Sequence, residues 1–264
     1  MTDFPSLPEL FDLERLEPDL FQSRAIFDDK RGMYGGQAAA LSLLAAGLTV
    51  EQGRPPHSLH GYFVSRGNTA KPMQFRVNRD RDGRSFSARR VTAEQDGEVI
   101  FSMSASFAVP ASTRKAFPDQ EAEPVPDMPP VDSLKPWTVS RYPSLEFRPV
   151  EGQEDRRVPD RFWLKCTDEL PEDPLVHAAV LAYVSDISTA LLPYEVDGVR
   201  VGPSLDHAVW FHRPANMADW HWQELVPRTV AGGRGWYTVA IYAPDGTRVA
   251  TVAQEQLFGA RNVR

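Results

Sequence analysis

A carboxylate set into an apolar helix is a residue type suited to acid–base work, and this chain has one at Asp186. It follows Leu181-Ala182-Tyr183-Val184-Ser185 and precedes Ile187. Apolar positions 176, 179, 180, 183, 184, 187, 190 and 191 draw a helical stripe, with 186 at its edge. Such a position is either solvated or faces a partly dry cleft, where the carboxylate could orient or deprotonate a water. Ser204 follows Gly202-Pro203 and opens the run Ser-Leu-Asp-His-Ala-Val-Trp-Phe-His-Arg-Pro. A serine there is a turn residue or a hydroxyl offered to a site. Gln254 shares a strand face with Val252 and Gln256, so its amide lies at an exposed edge or is buried with a partner to satisfy.

The elements that must position these residues recur along the chain. Ser58-Leu59 returns as Ser204-Leu205, Gly83-Arg84 as Gly233-Arg234 and Asp96-Gly97 as Asp245-Gly246, at a near-constant offset. Each Asp-Gly pair is flanked by alternating apolar residues, which is a hairpin signal. In the first copy the pattern predicts a helix over 38–50, with Gly35-Gly36 allowing close backbone approach at its start. Strands follow at 58–64, 73–77, 85–94 and 99–109. In the second copy a strand at 162–166 precedes a helix over 173–192, and strands follow at 204–212, 221–226, 235–242 and 248–258.

Between the copies, residues 110–149 hold nine of the 23 prolines, a density that excludes a helix interior or a central strand and reads as a linker. The expected division is an N-terminal repeat at 1–110, a Pro-rich linker at 111–150 and a C-terminal repeat at 151–264. Each repeat is a long helix with an antiparallel sheet able to wrap it, an α+β layout without βαβ alternation. No glycine-rich dinucleotide loop or phosphate loop is present. The copies differ where chemistry is concerned, because Ala105 takes in the first the place that Gln254 takes in the second. A duplication that has lost symmetry at a few positions is expected to keep one working site.

Composition narrows the classes. Hydrophobic residues at 42% and charged residues at 25% belong to a folded, soluble protein. A net charge of −7 argues against a nucleic-acid partner, which needs a basic face. One cysteine, Cys166, excludes an internal disulfide and a multi-cysteine metal site, and its apolar setting reads as packing. The longest mostly apolar run, 38–48, is too short for a membrane span. The first residues show no secretory signal pattern and the last are not a peroxisomal address, so a cytoplasmic location is expected.

Together, the helix Asp, the strand Ser with its Leu-Asp-His-Ala-Val-Trp-Phe-His-Arg-Pro, and Val249-Ala250 followed by Gln254-Glu255 resemble the acyl-CoA thioesterase II family of double-hotdog enzymes. The first copy adds Tyr34-Gly35-Gly36-Gln37, His57-Ser58-Leu59-His60-Gly61-Tyr62-Phe63 and Asp82-Gly83-Arg84-Ser85-Phe86-Ser87-Ala88-Arg89-Arg90-Val91. The resemblance runs over nearly the whole chain. It implies a double hotdog of two tandem repeats, and hydrolysis of acyl-CoA to free acid and coenzyme A without a metal or redox cofactor. It also implies a water held by an Asp, a Thr and a Gln. By motif the Asp falls on Asp186 and the Gln on Gln254, while the Thr position holds Ser204. The hydroxyl survives that departure, with χ1 less restricted. Asp186 would take a proton from the water, and Ser204 and Gln254 would aim it. The alternative is a non-catalytic acyl-CoA or lipid-binding double-hotdog module, suggested by Ser204 and by the degenerate first copy.

Other motifs carry less. Gly35-Gly36-Gln37 is also the tripeptide of peptide-release factors, but the acidic charge opposes an RNA partner, and close helix–sheet packing explains the glycines better. Asp173-Pro174-Leu175-Val176-His177 is faintly similar to a hotdog hydratase motif, with the wrong spacing and no Asn. Arg79, Arg81, Arg84, Arg89 and Arg90 could meet coenzyme A phosphates, although Asp80 and Asp82 favour a solvated hairpin. His207 and His212 are five apart on a strand and give no reason for metal. Sheet edges need covering, so a homo-oligomer is expected.

Overall fold

The computed structural model describes residues 4–110, 118–150, 159–187 and 199–260. Two helices lie at its centre. The first, α2 (Gly35–Gly47), follows a short capped turn α1 (Leu7–Leu10) and is built from glycine, alanine and leucine with no β-branched residue. It is buried continuously from Gly36 to Ala46, so small side chains are what allow neighbours to close on it from all sides. The second, α3 (Pro174–Ser185), starts where the Asp173 side chain accepts from the Leu175 amide and Pro174 takes the first helical position.

Both helices differ from the periodicity. The first begins earlier than 38, because Gly35 and Gly36 are themselves helical. The second ends at Ser185 with Asp186 as its C-cap, and positions 188–192 of the expected helix fall outside the described residues.

The helices run antiparallel against each other. A methyl on Gly36 would come within 2.4 Å of the Tyr183 carbonyl oxygen, and one on Gly47 within 2.3 Å of the Leu175 side chain. The start of α2 therefore meets the end of α3, and the reverse. Gly35-Gly36 does mark a close approach, to the end of the other repeat's helix as well as to Phe63 of the sheet.

Around the helices, all thirteen strands of the described residues form one antiparallel sheet. The first repeat contributes β1 (Leu13–Glu17), β2 (Leu20–Ser23), β3 (Pro56–Phe63), β4 (Gln74–Asp82), β5 (Phe86–Gln95) and β6 (Glu98–Ala108). After them come β7 (Leu145–Pro149), β8 (Arg161–Cys166), β9 (Val199–Ser204), β10 (Asp206–Phe211), β11 (His221–Ala231), β12 (Arg234–Tyr242) and β13 (Arg248–Ala260). The order is β1-β2-β4-β5-β6-β3-β10-β13-β12-β11-β8-β7, with β9 also on β13. Pairing of β3 with β10 joins the repeats into one surface, Leu59 opposite Val209. This is the double hotdog that the sequence leads one to expect.

Asp96-Gly97 makes the tight β5–β6 turn, with φ of 52° and 81°. The hairpin β1–β2 was not foreseen, because its strands are short and β1 is largely charged. Nor was β7, which lies inside the stretch read as linker. Its Pro149 is tolerated because β7 is the last strand of the sheet, where a missing N–H breaks no ladder.

The expected strand 204–212 is two strands. Ser204 ends β9, Leu205 breaks the run, and β10 starts at Asp206. Both pair with β13, and the Asp206 carboxylate accepts from the Glu255 amide beside the break at 2.7 Å.

One apolar core joins the helices to the inner sheet face, and a satellite of Leu134, Trp163, Trp222 and Tyr242 lies apart from it. There Trp163 donates to the Pro129 carbonyl at 2.8 Å, tying the Pro-rich segment down. Among the described residues no helix is long and apolar enough to cross a membrane.

The glycine contacts separate two kinds of crowding. Gly36→Ala drives a methyl into backbone, and a loss of about 1–3 kcal/mol is expected. Gly47→Ala meets only the end of a flexible leucine, and the helical preference for alanine of about 1 kcal/mol offsets the crowding. Urea denaturation should therefore show a clear loss for the first and little for the second. Equal losses would contradict the packing described.

Candidate active site

Asp186 caps the end of α3 and points at the beginning of α2. It is 6% exposed, and the Gly36 amide donates to its carboxylate. Its Oδ2 lies so near Gly35 that a methyl there would sit 2.7 Å away. The carboxylate thus rests on the positive end of the other repeat's helix, where free amides and the helix dipole favour negative charge. Of its two sequence readings, the buried one holds.

Gln254 comes from β13, inward with Val252 and Gln256 as alternation predicts, and is fully buried. Its Nε2 donates to Asp186 Oδ1 at 2.7 Å and to Ser204 Oγ at 2.5 Å. Ser204, half-buried at the β9–β10 break, in turn donates to Asp186 Oδ1 at 3.4 Å. The three residues singled out in the sequence therefore meet in one hydrogen-bonded cluster. The break at Leu205 is part of the reason, because Ser204 stands opposite Gln256 while Ala208 stands opposite Ala253.

Two further residues join the cluster that the sequence did not single out for it. His207 Nδ1 is 2.5 Å from Gln254 Oε1, and its Nε2 is 2.8 Å from Ser185 Oγ. A signal for His207 existed: alternation along β10 puts it on the inner face with Val209, where a polar ring needs partners. Ser185 carried no comparable signal.

Burial raises the pKa of Asp186, opposed by the attraction of His207 and by bonds from Gln254, Gly36 and Ser204. Burial likewise lowers that of His207, opposed by Asp186, Gln254 and Asp206. Tyr34, Tyr142 and Tyr183 form an edge-to-face group beside the carboxylate, and the Tyr34 hydroxyl donates to the Tyr183 carbonyl at 2.7 Å. Burial pushes the Tyr142 phenol up to about 12. A carboxylate dry enough to hold a proton, beside a hydroxyl and an amide, can accept a proton from a small polar molecule and orient it.

The pseudo-equivalent end of the helix pair is built differently. Leu48 caps α2 where Asp186 caps α3, and Ala105 replaces Gln254. Pro174 removes one amide from the start of α3, and the Asp173 side chain occupies another. Buried Arg89 fills this end with bonds to Thr49, Arg81, Ala88 and Asp82. A cavity of about 410 Å³ beside it is lined by Arg54, Arg79 and Arg89 with Glu51 and Asp82.

The remaining sequence candidates take structural places. Arg79, Arg89 and Arg90 pair with Asp19, Asp82 and Asp80, while Arg81 and Arg84 are exposed. His177 Nδ1 accepts from the Met217 amide. His212 bonds Thr251 on the outer face. Cys166 is buried, which pushes its thiol up to about 11.

Comparison with known proteins agrees over nearly the whole length. The family profile of the acyl-CoA thioesterase N-terminal domain matches residues 27–108, and that of the C-terminal domain matches residues 118–258. Human acyl-coenzyme A thioesterase 8 is 33% identical over 93% of this chain and 86% of its own. The crystal structure of acyl-CoA thioesterase II TesB2 from Mycobacterium marinum superposes with a TM-score of 0.81, at 33% identity and 98% coverage of both chains. A hot dog fold protein from Alicyclobacillus acidocaldarius, at 20% identity and a TM-score of 0.76 over 98% of this chain and 99% of its own, shares the fold. With both halves matched in order, and with two hotdog repeats in one sheet, this chain belongs to the acyl-CoA thioesterase family.

Proposed function

We propose that this chain hydrolyses acyl-CoA thioesters to a free acid and coenzyme A through a water activated by Asp186 and aimed by Ser204 and Gln254. The observation that carries this is the buried Gln254 amide, whose Nε2 reaches both Asp186 Oδ1 and Ser204 Oγ. Those three polar groups face one another without an apolar side chain between them, as a water-binding corner requires.

In this reading the ionised Asp186 takes a proton as the water oxygen bonds to the thioester carbonyl carbon. The tetrahedral intermediate collapses with cleavage of the carbon–sulfur bond. The proton on Asp186 then passes to the departing thiolate, which leaves the carboxylate ready for the next water. Burial supports the assignment, because a raised pKa makes Asp186 a stronger base than an ordinary aspartate. Ser204 and Gln254 supply direction, the part of catalysis that converts an encounter into an aligned attack. The second end of the helix pair lacks both the carboxylate and the amide, so one site per chain is proposed.

Thiol release from saturated acyl-CoAs of increasing length tests the activity. Asp186→Asn should lower kcat by about 10²–10⁴-fold. Binding of acyl-CoA by the wild type without turnover on any chain would instead favour a holding module. At Ser204, loss of the hydroxyl in Ser204→Ala should lower kcat about 10-fold or more, while Ser204→Thr keeps it within about twofold. Equal rates for Ala and Thr would remove the hydroxyl from the mechanism.

Stability carries a separate signature. The raised pKa means that the folded state favours the protonated acid. The group's contribution is complete below its unfolded value of about 3.9 and is lost as pH rises through the folded value. Asp186→Asn does not titrate, so the Tm of the variant minus that of the wild type should grow as pH rises above about 3.9, until the folded group is ionised. A difference that stays flat or shrinks would contradict the buried placement.

A further inference from the structure

The carboxamide of Gln254 has two orientations of nearly the same shape. Turning it over exchanges the donor NH2 with the acceptor oxygen. Only one serves the site above, because the reverse would set Oε1 against the Asp186 carboxylate, two acceptors with no proton between them. The far side of the amide decides between them. There Oε1 lies 2.5 Å from His207 Nδ1, and His207 is completely buried. The other ring nitrogen, Nε2, lies 2.8 Å from Ser185 Oγ. The one proton of the Ser185 hydroxyl has two acceptors in reach, the Ala182 carbonyl at 2.9 Å and His207 Nε2. When Nδ1 carries the ring proton and gives it to Gln254, that hydroxyl turns to Nε2.

The repeats supply an independent observation. By the same offset that matches Ser58 to Ser204, Gly61 occupies the place of His207. Gly61 packs so closely on the Phe101 ring that even a methyl would come within 2.4 Å. Counting back from the two C-caps, Gly47 occupies the place of Ser185. The first repeat, which lacks the glutamine, therefore lacks the histidine and the serine as well.

We propose that His207, carrying its proton on Nδ1, is a positioning residue for thioester hydrolysis that locks the Gln254 amide with its NH2 group toward Asp186 and Ser204. The chain of bonds leaves α3 at Ser185, crosses β10 and β13, and returns to α3 at Asp186. Helix end and strands are thus aligned by the same bonds that orient the amide. This inference rests on the reading that Gln254 aims the water.

Two isosteric substitutions and a mutant cycle test it, with thiol release from an acyl-CoA that the wild type cleaves. An asparagine amide nitrogen takes the place of Nδ1, whereas that of glutamine takes the place of Nε2. His207→Asn should keep kcat within about fivefold, and His207→Gln should lower it by about 10–100-fold with KM within about twofold. In a Gln254→Ala background, His207→Gln should cause no further loss, because the histidine acts through the amide. Melting temperatures establish that each variant is folded. Equal losses in folded Asn and Gln variants, or losses that add to that of Gln254→Ala, would overturn the proposal. A Gln254→Ala variant with wild-type kcat would instead remove the water-site reading, so the two failures are distinguishable.

Discussion

Everything at the centre of this molecule depends on keeping a carboxylate out of water. Asp186 is buried, and burial of an ion is costly unless its charge is met. It is met by the start of α2, which offers the Gly36 amide and the positive end of the helix. That contact needs a side-chain-free surface, which Gly35 and Gly36 provide, and antiparallel helices that bring the two repeats end to end. The continuous sheet across β3 and β10 then fixes where Gln254 and Ser204 arrive. The site is therefore neither repeat's own, since one supplies the side chains and the other the helix end that stabilises their charge.

The same symmetry makes a second end, and that end is built differently. Arg89 is 1% exposed and spends its donors on Thr49, Asp82 and backbone carbonyls. Leu48 and Ala105 stand there in place of the carboxylate and amide of the Asp186 end. A buried polar network is costly when half satisfied, so its parts are expected to be kept or lost together.

Periodicity reveals what depends on neighbours along the chain. The Asp96-Gly97 turn, the shared face of Val252, Gln254 and Gln256, and the two central helices were all readable. What depends on partners across the fold was not. Asp186 lies at the edge of an apolar stripe in sequence. Its burial follows from a helix that ends there and from a second helix covering it, neither of which a local pattern records. The break at Leu205 sits inside unbroken strand-like alternation, and only pairing with β13 shows it. Short edge strands such as β1 and β7 lack enough residues to establish a period. The resemblance to the family named Asp186, Ser204 and Gln254, and the geometry adds His207 and Ser185 because it shows where the far side of the amide goes.

The most direct test is the pH dependence of wild-type kcat/KM on the acid side, measured by thiol release over the range in which the fold is intact. If a buried Asp186 is the base, kcat/KM falls about tenfold per unit of pH below an apparent pKa above the ordinary aspartate value of about 3.9. The residual rate of Asp186→Asn shows no such limb. A limb that persists unchanged in that variant, or a wild-type rate that stays flat down to acid unfolding, would contradict the account.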